Sequence, residues 1–368
     1  MAPLLRPRYS LPKDKFSAYF GSLKSTAYVD TGATSRGLPN TNQHGLRSIA
    51  WNPLGTLIAT GAVDKTLRVC GSSPAILCAI FCAVESILTS SCSGNPEKPN
   101  VRFSTELKGH SSSIEKVVFN PVKDAELASV SSDGVVKLWD VRTKACVNEV
   151  KGLGNANSLA WAPDGSSLLA GNKNGELFQL SPTQSAIVST HQQPADTNQM
   201  AFCWGGDKVF VPTREGQIRI LSYPEMEPIL HHNYAVALGE STEFTLKGHT
   251  ASCLTVELSP TGRHLATGGA DSVVALFDTE DWLCQRTVTR LLGPVRNISF
   301  TFDGSYFVGG CEDGGSGLEV IHTETGELIH TAKTAGSCET LAWAPTRYCL
   351  AYSDLGTLRI IGVDGDKK

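Results

Sequence analysis

Residues Leu107 to Val150 read LKGHSSSIEKVVFNPVKDAELASVSSDGVVKLWDVRTKACVNEV. The apolar residues come in short, β-branched runs: Val117-Val118-Phe119, Leu127-Ala128 and Val135-Val136-Lys137-Leu138. Asn-Pro, Lys-Asp and Asp-Gly pairs separate the runs, so the stretch predicts four short antiparallel strands joined by tight turns, and no helical period fits it. His110 stands before the first strand, Ser129 in the second, Asp133 in the turn after it and Trp139 in the third. A buried imidazole can donate to the Asp133 carboxylate and accept from the Ser129 hydroxyl while the Trp139 indole N–H supplies one more donor. Such a network would satisfy its own polar groups and tie the outer end of the sheet to its inner strands.

These residues spell GH…S…D…WD, which resembles the WD40 repeat at every position of its pattern. The resemblance implies one blade of a β-propeller. Ser129, His110 and Asp133 are also the ingredients of a hydrolase triad. The spacing fits a structural tetrad instead, and neither a G-x-S-x-G elbow nor an oxyanion loop accompanies it.

Working outward, one phrase returns seven times: an aromatic or apolar residue, a spacer, then Pro or a substitute. Its anchors are Trp51, Phe119, Trp161, Phe202, Leu258, Phe300 and Trp343. Four of the six intervals are 41 to 43 residues, the period of a four-stranded blade. After each anchor comes a strand, a polar turn and a strand: LIATGAVDKTLRV, LASVSSDGVVKLW, LLAGNKNGELFQL, VFVPTREGQIRIL, LATGGADSVVALF, FVGGCEDGGSGLEV and LAYSDLGTLRII. The expected fold is all-β, a seven-bladed WD40 propeller over residues 43–363, with an arm at 1–42 and a polar tail at 364–368. The tetrad fades away from the second blade. Unit one offers His44, Thr60 and Asp64 but Cys70 in place of Trp; unit five offers His249, Thr267 and Asp271 with Phe277. The other four units lack most of it, so their closure is expected to rest on apolar packing. A propeller is free of open edges only when the ring is latched. The last unit has only three strands, so the fourth is expected from within 17–35. Phe16, Tyr19, Phe20 and Leu23 fall at helical spacing just before, which predicts a short amphipathic helix docked on the body or on a partner.

Two intervals are long, 68 and 56 residues. The excess of the smaller, residues 231–244, reads as a loop between blades. The larger runs through 70–94, GSSPAILCAIFCAVESILTSSCSG after Cys70, with almost no charge. A single Trp in its place would bring the interval into line. Such a Trp codon can be split in frame between the Cys70 and Gly94 codons, so the segment is expected to be a retained intron; the competing reading is an exposed loop whose apolar face binds a partner. Either way it is expected to leave the blade.

Composition narrows function. The formal net charge of −4, from 32 basic and 36 acidic residues, argues against a whole-surface nucleic-acid binder and leaves RNA contact local or indirect. Eleven cysteines lie scattered without zinc spacing, so no metal, cofactor or disulfide framework is expected and a reducing compartment is. The N-terminus lacks the apolar run of a signal peptide, and the most apolar stretch, 75–88, is too short to span a bilayer. The glycine-dense run 309–317 leads into a strand, not a helix, and so lacks the N–H cone of a phosphate loop. No constellation passes as an active site, and neither an enzyme activity nor a small-molecule substrate is expected. Counting back four residues from each anchor reaches the start of the inner strand, at the top mouth of the axial channel. The positions are Arg47, Glu115, Asn157, Asn198, Leu254, Arg296 and Glu339, six of them polar, above inner strands read as apolar. These are the candidate partner-binding residues.

The resemblance also extends past the repeat. LASVSSDGVVKLWDVRT, LAWAPDGSSLLAGNKNGELF, RILSYPEMEPIL, HLATGGADSVVALFDTEDWLCQR and GPVRNISFTFDGSYFVGG, in this order, resemble the fungal third-subunit family of the THO complex, the WD40 component of the TREX assembly. The resemblance implies a nuclear scaffold without catalysis, partnered by other THO and TREX subunits, that couples transcription to mRNA packaging and export. A chromatin or histone-peptide reader is the alternative binding module, and a propeller hydrolase the alternative of another class.

Overall fold

A computed structural model of the chain describes residues 10–28, 45–71, 105–194, 197–231, 242–312 and 317–362. Their architecture follows from the repeat. Each unit's anchor phrase ends an inner strand, and each strand–turn–strand phrase folds as a hairpin beside it. Blade two, the unit quoted first, is Ile114–Phe119, Glu126–Ser131, Val135–Asp140 and Ala145–Val150, paired antiparallel in chain order. The described residues form seven such four-stranded sheets. Successive inner strands pack side by side around the circle, and Leu46–Trp51 of blade one meets Leu341–Trp343 of blade seven. Apolar clusters straddle the seams between blades: Ala128, Leu138 and Val150 of blade two pack with Leu159, Leu168 and Phe178 of blade three. Burial between blades therefore stabilises the ring as much as burial within them.

Blade seven is closed from the other end of the chain. Its outer strand is Ser25–Tyr28, antiparallel to Thr357–Ile361 in the register Ser25↔Ile361 to Tyr28↔Leu358. The expected latch is thus present, and the last edge is paired rather than open. The predicted helix, α1, spans Lys13–Ser22 and docks on the body, with Phe16 and Phe20 fully buried and Tyr19 left half exposed.

The anchor residues also sew neighbouring blades together. The Trp51 indole donates to the Ala342 carbonyl at 2.9 Å across the closing seam, and Trp161 donates to Val118 O at 3.3 Å. The side-chain amides of Asn52 and Asn120 donate to the carbonyls of Asp124 and Gly165 in the next blade.

Blade four is irregular. Its inner strand is only Ala201–Phe202, and the second strand ends on Pro212, which has no N–H to continue the ladder. Asn198 and Gln199 turn to blade five instead, donating to Cys253 O and Val256 O at 3.4 Å each. The excess of the 56-residue interval lies inside this blade, not between blades as expected. It separates the third strand, Gln217–Ser222, from the fourth, Thr245–Lys247, and carries a small ladder of Leu230–His231 with Thr242–Glu243. Of the 70–94 excess only Cys70 and Gly71 fall among the described residues: Cys70 lies buried opposite Ile58, where Trp139 lies opposite Leu127 in blade two. The rest of that segment, and the expected tail, lie outside the described residues.

Candidate functional site: the channel and its mouth

The tetrads come first, because they set the geometry of the loops around the mouth. In blade five His249 Nε2 lies 2.8 Å from Thr267 Oγ1 and Nδ1 lies 3.1 Å from Asp271 Oδ1. Asp271 in turn accepts the Thr250 backbone N–H at 2.9 Å. Blade two differs. Trp139 Nε1 donates to Ser129 Oγ at 2.8 Å and Ser129 Oγ lies 2.7 Å from His110 Nε2, but Asp133 accepts from the Ser111 and Ser131 hydroxyls rather than from the imidazole. His110 Nδ1 is left buried without a partner, so the expected donation from His110 to Asp133 is not made. Two serine hydroxyls occupy the carboxylate oxygens that the imidazole would need. Burial, followed by the Lys137 ammonium, pushes the His110 pKa down to about 4, so the ring is neutral at pH 7. In blade one Thr60 is buried and Asp64 accepts the Thr66 N–H at 3.1 Å; His44 lies outside the described residues.

None of these groups forms a working triad. Ser129 is fully buried and bonded to an indole, which leaves no room for a substrate carbonyl. Among the described residues no cluster of histidine, cysteine and acidic side chains could hold a metal ion, and no helix is long and apolar enough to cross a membrane. No disulfide joins the described cysteines, and burial pushes the Cys253 thiol up to about 12 and Cys349 to about 11.

The structure gives the mouth residues a common origin. In blades one, two, three, five and six the inner-strand register shifts by one residue, between Leu46 and Ser48, Ile114 and Lys116, Ala156 and Ser158, Cys253 and Thr255, and Val295 and Asn297. The skipped residues are Arg47, Glu115, Asn157, Leu254 and Arg296. Each sits on a β-bulge, which takes it out of the ladder and re-aims it. Asn198 and Glu339 precede the short inner strands of blades four and seven. Arg47 is exposed and makes no hydrogen bond or ion pair among the described residues. Arg296 pairs with Glu312, Glu115 accepts from Ser113 at 2.8 Å, and Asn157 Oδ1 is buried without a partner.

The comparisons with known proteins match this geometry. The family described as WD domain, G-beta repeat, matches residues 38–70, 101–140 and 240–278, which take in the inner strands of blades one, two and five, the three that carry tetrad residues. THO complex subunit 3 of Arabidopsis thaliana is 30% identical over 329 residues, covering 87% of this chain and 92% of that protein. The chain belongs to the THO complex subunit 3 family. WD repeat-containing protein AAC3 of Dictyostelium discoideum is 32% identical over 83% of the chain and 61% of its own length. Cell division cycle 20.1, cofactor of APC complex, of Arabidopsis thaliana is 25% identical over 60% of the chain and 48% of its own length.

In this member of the THO complex subunit 3 family, sequence reasoning missed what lies below the mouth. The inner strands are not uniformly apolar. Three residues before each anchor stand Ser48, Lys116, Ser158, Gln199, Thr255, Asn297 and Thr340, all polar. Some join blades: Ser48 Oγ accepts the Val117 N–H at 3.1 Å, and Thr255 Oγ1 donates to Gln199 Oε1 at 3.0 Å. Two charges stand on opposite sides of the ring, Lys116 in blade two and Glu257 in blade five, each partly exposed and neither in an ion pair among the described residues. Enclosure lowers the pKa of Lys116, and it raises that of Glu257 to about 7 against the pull of Lys116. The signal for the ring was a polar residue recurring at one fixed distance from each anchor.

Proposed function

We propose that the chain is a non-enzymatic scaffold subunit of a nuclear THO/TREX-type complex that couples transcription to mRNA packaging and export. It would be held there by protein–protein contacts with the other subunits, with RNA touched locally or not at all. The observation that carries this reading is the 30% identity to a THO complex subunit 3 along 87% of the chain, which takes in blades that the repeat pattern itself does not match. The structure supports it with a rigid ring whose polar groups are spent on joining blades, and with a mouth whose bulged residues are presented outward. Arg47 is the strongest anchor for an acidic partner segment, because its guanidinium is exposed and uncommitted.

Affinity purification of the tagged chain from nuclear extract, read by mass spectrometry, tests the proposal. Co-purifying THO subunits are expected; histones in their place overturn it. The Arg47→Ala/Arg296→Ala double variant is expected to lose at least one partner while its unfolding curve is unchanged. Retention of every partner would sink the mouth as the docking surface.

A further inference from the structure

The arm ahead of the latch is held at one point by an unusual arrangement. Leu11 has both backbone groups clamped by tyrosines: its N–H donates to the Tyr348 hydroxyl at 3.0 Å, and its carbonyl accepts from the Tyr306 hydroxyl at 2.6 Å. The Tyr348 hydroxyl in turn donates to Asp303 Oδ2 at 2.7 Å, so the chain of hydrogen bonds ends on a carboxylate. Burial works against the charge of Asp303, but hydroxyls from Thr301, Tyr348, Ser10 and Ser305 hold its pKa below the usual value and keep it ionised. Ser10 is exposed, and its Oγ lies 2.8 Å from Ser305 Oγ, beside that carboxylate. Two residues on, Pro12 opens α1, whose Phe16 stacks on Tyr306 at 3.9 Å between centroids and whose Phe20 meets Trp343 at 5.2 Å. In sequence Ser10 follows Arg6 and Arg8, the basic flank that an acidic kinase groove selects.

We propose that Ser10 is a phosphorylation site for an arginine-directed protein kinase and that the phosphate releases the arm, residues 10–22, from the seam between blades six and seven. In the transfer Ser10 Oγ attacks the γ-phosphorus of ATP. One O–P bond forms as the β–γ bridging O–P bond breaks, ADP leaves, and the hydroxyl proton passes to solvent. The product loses the hydroxyl bonded to Ser305 Oγ and places close to two negative charges beside a buried carboxylate, where repulsion is poorly screened. Among the described residues the cation nearest in the chain, Lys13, is already engaged by Glu327 and Thr325. The strand Ser25–Tyr28 keeps its own ladder, so the ring stays closed while the seat formed by Tyr306, Tyr348 and Trp343 opens.

The test uses the full chain with phosphoserine installed at position 10, and follows tryptic cleavage after Lys13 and Lys15 with hydrogen exchange of residues 13–22. Cleavage is expected to quicken by about ten-fold, the scale of one or two lost charge-assisted contacts. Ser10→Ala should leave the rate within about two-fold, because a neutral side chain adds no charge. Asp303→Asn in the phosphorylated chain should restore most of the protection, which separates repulsion from simple loss of a hydroxyl. Unchanged or slower cleavage overturns the proposal, the slower case meaning that Lys13 has left Glu327 to hold the phosphate. So does failure of an arginine-directed kinase with ATP to modify the folded chain at Ser10 under conditions that fully modify a peptide of residues 4–16.

Discussion

Ser129 serves two buried donors and acceptors at once. Ser129→Ala strands the Trp139 indole N–H and His110 Nε2 together, and is expected to cost about 2–3 kcal/mol in urea unfolding, within the range for orphaned buried polar groups. His110 gives the same blade a pH dependence. Its folded pKa lies below its ordinary value, so the unfolded chain takes up the proton first; stability is full above pH 6.5 and declines until about pH 4. His110→Gln should flatten that limb, and unfolding measured at pH 7 and pH 5 checks it. At the mouth, Leu355 sits at φ +49° ahead of Gly356 at +74°, in the two-residue turn of blade seven, a backbone state that favours Asn or Gly. Leu355→Asn is expected to raise stability by about 0.5–1 kcal/mol. The residue types of the tetrad were plain in the sequence, but the partner of the His110 imidazole was not. Nothing in the sequence marks Ser111 and Ser131 until the folded geometry brings both hydroxyls to Asp133.

Secondary-structure elements carry the larger energies. Phe16 is fully buried against two tyrosines, so Phe16→Ala should cost about 3–4 kcal/mol and expose α1 to protease, a change that limited proteolysis with unfolding measurements would register. The inner strands hold the other lever. Glu257 has a folded pKa above its unfolded one, so the folded chain holds the extra proton and stability is lost as pH rises from 4.5 through about 7. Glu257→Gln is expected to be more stable than the parent at pH 8 and equal to it at pH 4; a parent that is the more stable at pH 8 would mean that Lys116 fully compensates the carboxylate. The helix and the latch were legible because their residues repeat at 3.6 and because the last unit is one strand short. The channel charges were not, since the inner strands look apolar as runs, and a bulge at Glu115 or Leu254 shifts which residues turn toward the axis.

At the scale of the whole molecule, the ring was readable from four intervals of 41 to 43 residues, whereas the placement of the excess in blade four was not: nothing at His231 signals that Thr245–Lys247 will return as that blade's fourth strand. In blade one Cys70 stands at the register where Trp139 and Phe277 stand in blades two and five, the strand is described to Gly71, and described pairing resumes at Thr105–Leu107. We expect a chain in which residues 70–94 are replaced by one Trp to fold with a melting temperature at or above that of the present one, and the mature transcript to lack the segment. A spliced message that keeps it as the dominant form would end that reading. The closing seam also bears on how the protein is made. Ser25–Tyr28 leaves the ribosome about 330 residues ahead of its partner Thr357–Ile361. At about 5–20 residues per second the first strand waits on the order of 20–70 s for its mate. Through that interval the flank of blade one formed by Ile49, Trp51 and Ile58 has no Ala351, Leu358 or Ile360 to cover it. A nascent chain stalled before blade seven has emerged therefore displays this apolar flank, so chaperone capture should concentrate on blade one and cease once Thr357–Ile361 is free to pair.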